Sequence, residues 1–297
     1  MLSITVPASS ANLGAGFDAL GLALTLYNRV WMEEADGCLI ESADDAPIPL
    51  DETNMVYHTA RLLYSRCGRP FRGLHIRQEN RIPMTRGLGS SSACLVAGLL
   101  GANTLLGSPL SMGDLCDLAA ELEGHPDNVA PALLGGLVTS VMDGGRVHTV
   151  SVPVAEGIRF AVFIPDFELR TDVARAALPE TVSRADAVYN LSRAALMTAS
   201  LCSGSLENLR VAVQDRLHQP YRFPMIPGAE QIFYTAYDLG AYAVAVSGAG
   251  PSILAVVDGA DTAFSARAEE RLHAAGLTGW QVRLFACAGE GAAVAFA

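Results

Sequence analysis

RIPMTRGLGSSSACLVAGLLG, residues 81–101, sets a loop of small residues directly before a long apolar run. Apolar residues on nearly all sides of residues 90–106 predict a helix buried in the middle of a domain. Such a loop gathers backbone N–H groups at the N-terminus of that helix, which carries about half a unit of positive charge. Gly87 and Gly89 allow the backbone to approach a ligand closely. The hydroxyls of Ser90, Ser91 and Ser92 can donate to phosphate oxygens or ligate a hard cation such as Mg2+. On these residues alone the stretch reads equally as a phosphate loop or as a glycine turn whose serines cap a core helix.

Spacing argues against three related motifs. No lysine follows the glycines, as the G-x-x-x-x-G-K-[ST] loop of one NTPase class requires. Gly89-Ser90-Ser91-Ser92-Ala93 lacks the last glycine of a nucleophile elbow, and no strand runs straight into it. Gly14-Ala15-Gly16-Phe17-Asp18-Ala19 satisfies G-x-G-x-x-[GA], but a polar loop separates it from its strand and a second strand follows instead of a helix.

Outward from the loop, SITVPA and residues 20–34 (LGLALTLYNRVWMEE) read as strands with PASSANLGAGFD as the loop between them. A helix is predicted over 54–68, a strand at GLHIRQEN, and a helix at MGDLCDLAAELEG opened by a capping box of Ser111 and Asp114. GGLVTSVMDGGRVHTVSVPV reads as a hairpin about Asp143-Gly144-Gly145, and IRFAVFIP as the strand that begins a second half. Helical spacing dominates 171–240, and the chain then runs strand, Gly-Pro turn, strand, helix and strand. That order predicts an α+β unit around an antiparallel sheet. Two domains are expected, 1–155 and 156–297.

The composition, 51% hydrophobic and 17% charged over 297 residues, is that of a globular chain. MLSITVPASS resembles no signal peptide and no apolar run is long enough to span a bilayer, so a soluble cytoplasmic protein is expected. Six scattered cysteines without a C-x-x-C pair read as reduced core thiols. A formal net charge of −11 with no basic cluster argues against a nucleic-acid partner, while an anionic small ligand remains compatible with local arginines and amides.

Four further stretches interrupt the apolar background. PASSANLGAGFD offers Asn12 and Asp18. ELEGHPDN gathers Glu121, Glu123, His125, Asp127 and Asn128 at a helix end, where acid opposes the helix dipole and so hints at use, a carboxylate there being able to share Mg2+ with the serine loop. Arg175 and Arg222 each present a fork suited to a carboxylate, and SGAGPS, 247–252, is a second glycine turn.

Taken together these residues resemble the GHMP small-molecule kinases, in particular the branch that phosphorylates L-homoserine. PASSANLGAGFDALG is similar to the first signature of the family, IPMTRGLGSSSA to its ATP loop P-x-x-x-G-L-G-S-S-x-A, and SGAGPS to its third motif. EGHPDNVAPALLGG and the span from TDVARAALP through NLSRAAL to DRLHQPYR resemble that branch specifically. Ser92 stands where alanine is common and Ala15 where proline is common.

The resemblance implies an N-terminal α/β domain like the second domain of ribosomal S5, a C-terminal ferredoxin-like α+β domain, and an active site between them. It implies MgATP-dependent phosphorylation of the homoserine hydroxyl in threonine biosynthesis, and a homodimer would be ordinary. It places Pro83, Arg86, Gly87, Leu88, Gly89, Ser90, Ser91 and Ser92 around the ATP phosphates and Asn54 near the adenine. Ser91 and Glu123 are placed on Mg2+, with Glu121 as fallback. Arg175 and Arg222 would clamp the substrate carboxylate. Asn12, Asp18 and His125 would fix the amine and hydroxyl end, with Gly250 of the third motif at the substrate. Thr171 would lie near the accepting hydroxyl, and Asp127 with Asn128 falls where mevalonate kinases carry their base; direct proton transfer to the γ-phosphate is equally open, and of the two the reading without a dedicated base is preferred. The rival readings are a GHMP kinase for another alcohol, such as mevalonate, and a nucleotide sensor without chemistry.

Overall fold

The computed structural model describes residues 1–44 and 46–296. In chain order the first half runs β1 (Leu2–Ala11), β2 (Leu20–Glu34), β3 (Gly37–Ser42), α1 (Met55–Arg66), β4 (Gly73–Asn80), α2 (Ser90–Leu105), α3 (Met112–Glu123), α4 (Val129–Leu134), β5 (Leu137–Asp143) and β6 (Arg146–Val152). The second half runs β7 (Ile158–Pro165), α5 (Thr171–Ala176), α6 (Arg184–Ser203), α7 (Leu209–Ala212), α8 (Gln219–Arg222), α9 (Ala229–Asp238), β8 (Ala243–Val246), β9 (Ile253–Asp258), α10 (Phe264–Ala274), β10 (Trp280–Phe285) and β11 (Ala293–Phe296).

Seven strands form the first sheet, in the order β11-β1-β2-β4-β3, with β5 on the N-terminal end of β2 and β6 beyond it. All its pairings are antiparallel except β3 with β4. α2 lies in the centre of the core, buried from Ser92 and Ala93 through Ala102, as its uninterrupted apolar composition requires. The capping box at α3 is present, with Ser111 and Asp114 each accepting from the other's end of the turn.

The second sheet has the order β10-β7-β9-β8, all antiparallel, the arrangement of the expected ferredoxin-like unit. Successive residues of β7 serve different cores. Phe160, Val162 and Ile164 pack toward the first half, whereas Ala161 and Phe163 pack against β8, α9 and α10. A sheet covered on both faces needs strands apolar at every position, which is why IRFAVFIP shows no alternation.

Three features depart from the sequence reading. β1 runs through Pro7 to Ala11, with a bulge between Pro7 and Ala8, so the expected loop PASSANLGAGFD starts five residues late. The polar residues Ser9 and Ser10 are wholly buried there because their hydroxyls pair with Asn128 and with Ser247 of the second glycine turn. The expected division near residue 155 falls in the link between β6 and β7, but the second unit does not extend to 297. Cys287 and Ala288 bridge back to β2, and β11 pairs with β1, so the tail completes the first sheet. Finally, β3, α4 and β11 carried no sufficient local signal in the sequence. No helix of the described residues is long and apolar enough to cross a membrane.

Candidate active site

The glycine loop 83–89 lies between the two sheets and is tied to both. Ser9 donates its N–H to the Leu88 carbonyl (3.1 Å), and the Ser247 hydroxyl donates to the Gly87 carbonyl (2.6 Å). Arg86 reaches across to the carbonyls of Pro165 (2.9 Å) and Asp166 (2.8 Å). Arg86 therefore anchors the loop, and its fork is taken by backbone rather than left for phosphate. Gly89 is the N-cap of α2 at φ 67°, the left-handed region that disfavours a side chain, and a Cβ there would stand 2.0 Å from Ser9 Oγ. With no side chain capping α2, the first-turn amides face the cleft without a partner from the cap. The serines of the loop therefore do not cap α2, and its end is left suited to an anion.

The cleft beside this loop is lined by all the predicted site residues except Asn54, Pro83 and Gly250. Asn54 is the N-cap of α1, accepting from the N–H groups of Val56 (3.0 Å) and Tyr57 (3.4 Å) and donating to the Pro49 carbonyl and Gln78. Its side chain is thus buried and already fully engaged. Asn54→Ala is expected to lower stability by about 1–2 kcal/mol, a few degrees in Tm, with KM for ATP nearly unchanged. A raised KM for ATP at unchanged Tm would instead support the expected adenine role. Gly250 faces the second core, with Ile226 and Val246 against the position of an added Cβ. Gly248 is the motif residue that lines the cleft: its carbonyl accepts from Asn12 Nδ2 (2.9 Å) and Arg222 Nη1 (3.0 Å).

Glu123 is the last residue of α3, and its Oε1 accepts from Ser92 Oγ at 2.9 Å. Its carboxylate faces the positive end of α2, which offsets its unfavourable place at the C-terminus of its own helix. Of the three serines it is thus Ser92, fully buried, that pairs with this carboxylate, whereas Ser91 Oγ lies against Met55 Sδ (3.3 Å) at the exposed edge of the cleft. Ser90 turns inward toward the Ile82 carbonyl. Glu121, the fallback ligand, pairs with Arg66 on the surface and does not line the cleft.

Across the cleft, Asp18, His125 and Asp127 bring polar atoms within 4.8 Å of one another. His125 Nδ1 and Asp127 Oδ1 are 2.5 Å apart. Burial works against a charged His125, yet the hydrogen bond and charge of Asp127 outweigh it and raise the imidazole pKa above its usual value. The neighbouring Asn128 accepts from Ser9. Asp18 and Arg175 form a fork-to-fork pair with two 2.9 Å bonds. Among the described residues Arg175 thus has a carboxylate partner in Asp18, whereas Arg222, the other arginine expected at the substrate carboxylate, is hydrogen-bonded to His218 and Gly248 and to no carboxylate. Arg222 is 1% exposed, its Nε has no partner, and burial together with nearby Arg175 lowers its pKa to about 10. A desolvated cation of this kind gains strongly from an anion brought against it. Thr171 opens α5 at the cleft edge.

Backbone strain concentrates here too. Asn12, Leu13, Asp18 and Thr85 occupy the left-handed region without being glycine, and Ser108 is the other such residue among those described. Thr85 lines the cleft and was not anticipated, since a β-branched residue gives no sign in sequence of adopting φ 56°. All 20 basic residues are arginine, so no lysine amine contributes to phosphate binding or base chemistry.

The open N-terminus of α2 faces a charged cleft built from both halves, with Asp18, His125 and Asp127 from the first and Arg175 and Arg222 from the second. The family models described as GHMP kinases N terminal domain and GHMP kinases C terminal match residues 54–136 and 197–273. The chain belongs to the GHMP kinase family. A homoserine kinase of Clostridium beijerinckii is 44% identical over 95% of this chain and 94% of its own length. One from Desulfitobacterium hafniense is 44% identical over 99% and 100%. The crystal structure of homoserine kinase from Cytophaga hutchinsonii matches with a TM-score of 0.86 at 29% identity, covering 99% of this chain and 97% of the other.

Proposed function

We infer that this protein transfers the γ-phosphoryl group of ATP to the side-chain hydroxyl of L-homoserine, giving ADP and O-phospho-L-homoserine for threonine biosynthesis. The observation that carries this reading is the presence, in one cleft, of the uncapped α2 N-terminus opposite Arg222 and the Asp18–His125–Asp127 cluster. A zwitterion brings an opposite charge to each, its carboxylate to Arg222 and its ammonium to the acidic cluster. Mevalonate has no ammonium to offer the carboxylates of Asp18 and Asp127, and this weighs against it.

Phosphoryl transfer proceeds through a loose transition state, so positioning and charge neutralisation matter more than a strong base. The residues do this from both sides. Amides of 89–92 would receive the phosphate tail, while Asn12, Asp18, His125 and Thr171 would orient the hydroxyl toward it. Asp127 is engaged by His125, in keeping with a site that has no dedicated base, the hydroxyl proton leaving with the transferred group. The oxygen donors of Glu123, Ser91 and Ser92 suit a hard cation at the positive end of α2, and Mg2+ held there would neutralise phosphate charge. The same reading makes the protein cytoplasmic, with small molecules and no nucleic acid as its partners, and a homodimer would be ordinary for it.

Glu123→Gln is expected to move the half-saturating Mg2+ concentration for turnover up by about tenfold or more, as loss of a charged ligand should. An unchanged titration would place the cation elsewhere. The substrate assignment is tested by an ATP-turnover panel of amino alcohols and hydroxy acids. L-Homoserine should lead in kcat/KM by on the order of a hundredfold over compounds lacking either charge. Faster turnover of mevalonate or of a neutral alcohol would overturn it.

A further inference from the structure

Arg222 stands at one end of a buried chain of polar groups. His218, one helical turn earlier and wholly buried, has Nδ1 at 3.0 Å from Arg222 Nη1 and Nε2 at 2.7 Å from the carbonyl oxygen of Gly14. A guanidinium can only donate and a carbonyl can only accept. The two contacts therefore admit one tautomer, with Nδ1 bare, Nε2 protonated and the ring neutral. Burial favours that neutral form and lowers the His218 pKa, with Arg222 acting in the same direction and Asp215 and Asp18 against it. Phe17 stacks on the ring at 5.2 Å, and Asp215 Oδ2 lies 3.5 Å from Nε2.

Asp215 is itself held. It accepts from the N–H groups of Leu217, His218 and Gln219 and from Asn190 Nδ2. Asn190, on α6, donates also to the Ala15 carbonyl and accepts from the Arg216 N–H. The 215–222 turn is thus fastened to Gly14 by His218 and to Ala15 by Asn190. Those are the residues of the loop that carries Asn12 and Asp18.

We propose that His218 is a positioning residue of the substrate site: it accepts from Arg222 and donates to Gly14, and so fixes the guanidinium against the loop bearing Asn12 and Asp18. Without it, Arg222 keeps only Gly248 as a hydrogen-bond partner, and its Nε has none. The inference rests on the reading that Arg222 receives the substrate carboxylate.

Two half-mimics separate positioning from mere packing. His218→Gln keeps a donor near Gly14 but offers Arg222 no acceptor, whereas His218→Asn places Oδ1 where Nδ1 was and loses Gly14. Turnover of homoserine by the wild-type protein is measured first, and its absence would refute the proposed function rather than the role of His218. Given that turnover, His218→Gln should raise KM for homoserine by about tenfold or more, the size of one charge-assisted hydrogen bond, with KM for ATP within about twofold. His218→Asn should recover most of that loss. In an Arg222→Met background His218→Gln should add nothing further to KM, because the contact it serves is gone. Tm is read on each variant. Equal effects of the two half-mimics, parallel rises in both KM values with a lowered Tm, or full additivity with Arg222→Met would each overturn the proposal.

Discussion

Arg222→Met is expected to raise KM for L-homoserine by on the order of a hundredfold, from loss of about 3 kcal/mol of buried carboxylate recognition, while KM for ATP stays within about twofold. The contrast follows from position. Arg222 lies on the second unit, bonded to Gly248 and His218, and the phosphate loop is secured by other groups, Ser9, Ser247 and Arg86. Stability should not fall with affinity. A guanidinium at 1% exposure, with one nitrogen unpartnered and another arginine nearby, is costly to bury, so an apolar chain of similar length should leave Tm unchanged or raise it. Arg175→Met provides the comparison: it removes a cation already neutralised by Asp18. It should damage homoserine binding less than Arg222→Met does, and steady-state kinetics with both substrates varied checks the order.

Gly89→Ala is expected to lower kcat/KM for ATP by on the order of a hundredfold, because the new methyl group cannot fit unless the loop moves by about 1 Å, enough to misplace the phosphate donors. The added Cβ would meet Ser9 Oγ at 2.0 Å and Asn128 Oδ1 at 3.2 Å, and φ 67° is itself unfavourable for alanine by about 1–2 kcal/mol. Part of the defect should be reversible. Ser9→Ala removes the hydroxyl in the way, so the double variant Ser9→Ala/Gly89→Ala should regain some ATP affinity, the remaining deficit being the backbone strain. No recovery would mean that the steric contact with β1 is not what sets the loop.

Much of this site could be read before the structure because its parts are local. The small residues at 87–92 ahead of an all-apolar helix, the acid-rich end of α3 and the helix-to-turn punctuation each show within a dozen residues, and all lie where expected. The second sheet was likewise legible, since hairpins and flanking helices leave local patterns. What escaped depends on distant partners. β3 and β11 are short strands whose reason for existing is an edge elsewhere in the chain, β4 for one and β1 for the other. Ser9 and Ser10 looked like loop residues because their burial is made tolerable only by Asn128 and Ser247, more than a hundred residues away. The pairing of Arg175 with Asp18 could not be inferred, as sequence shows that both charges are present but not which of them meet. His218 did leave a sign: it sits four residues before Arg222, the spacing that places two side chains on one helical face.

The most direct test is a crystal structure of the protein with a non-hydrolysable ATP analogue, Mg2+ and L-homoserine. The expected result is a triphosphate against the backbone of residues 87–92, with the amino acid across the cleft, its carboxylate on Arg222 and its hydroxyl directed at the γ-phosphate. A triphosphate bound away from the N-terminus of α2, or homoserine bound with its carboxylate remote from Arg222, would contradict the account.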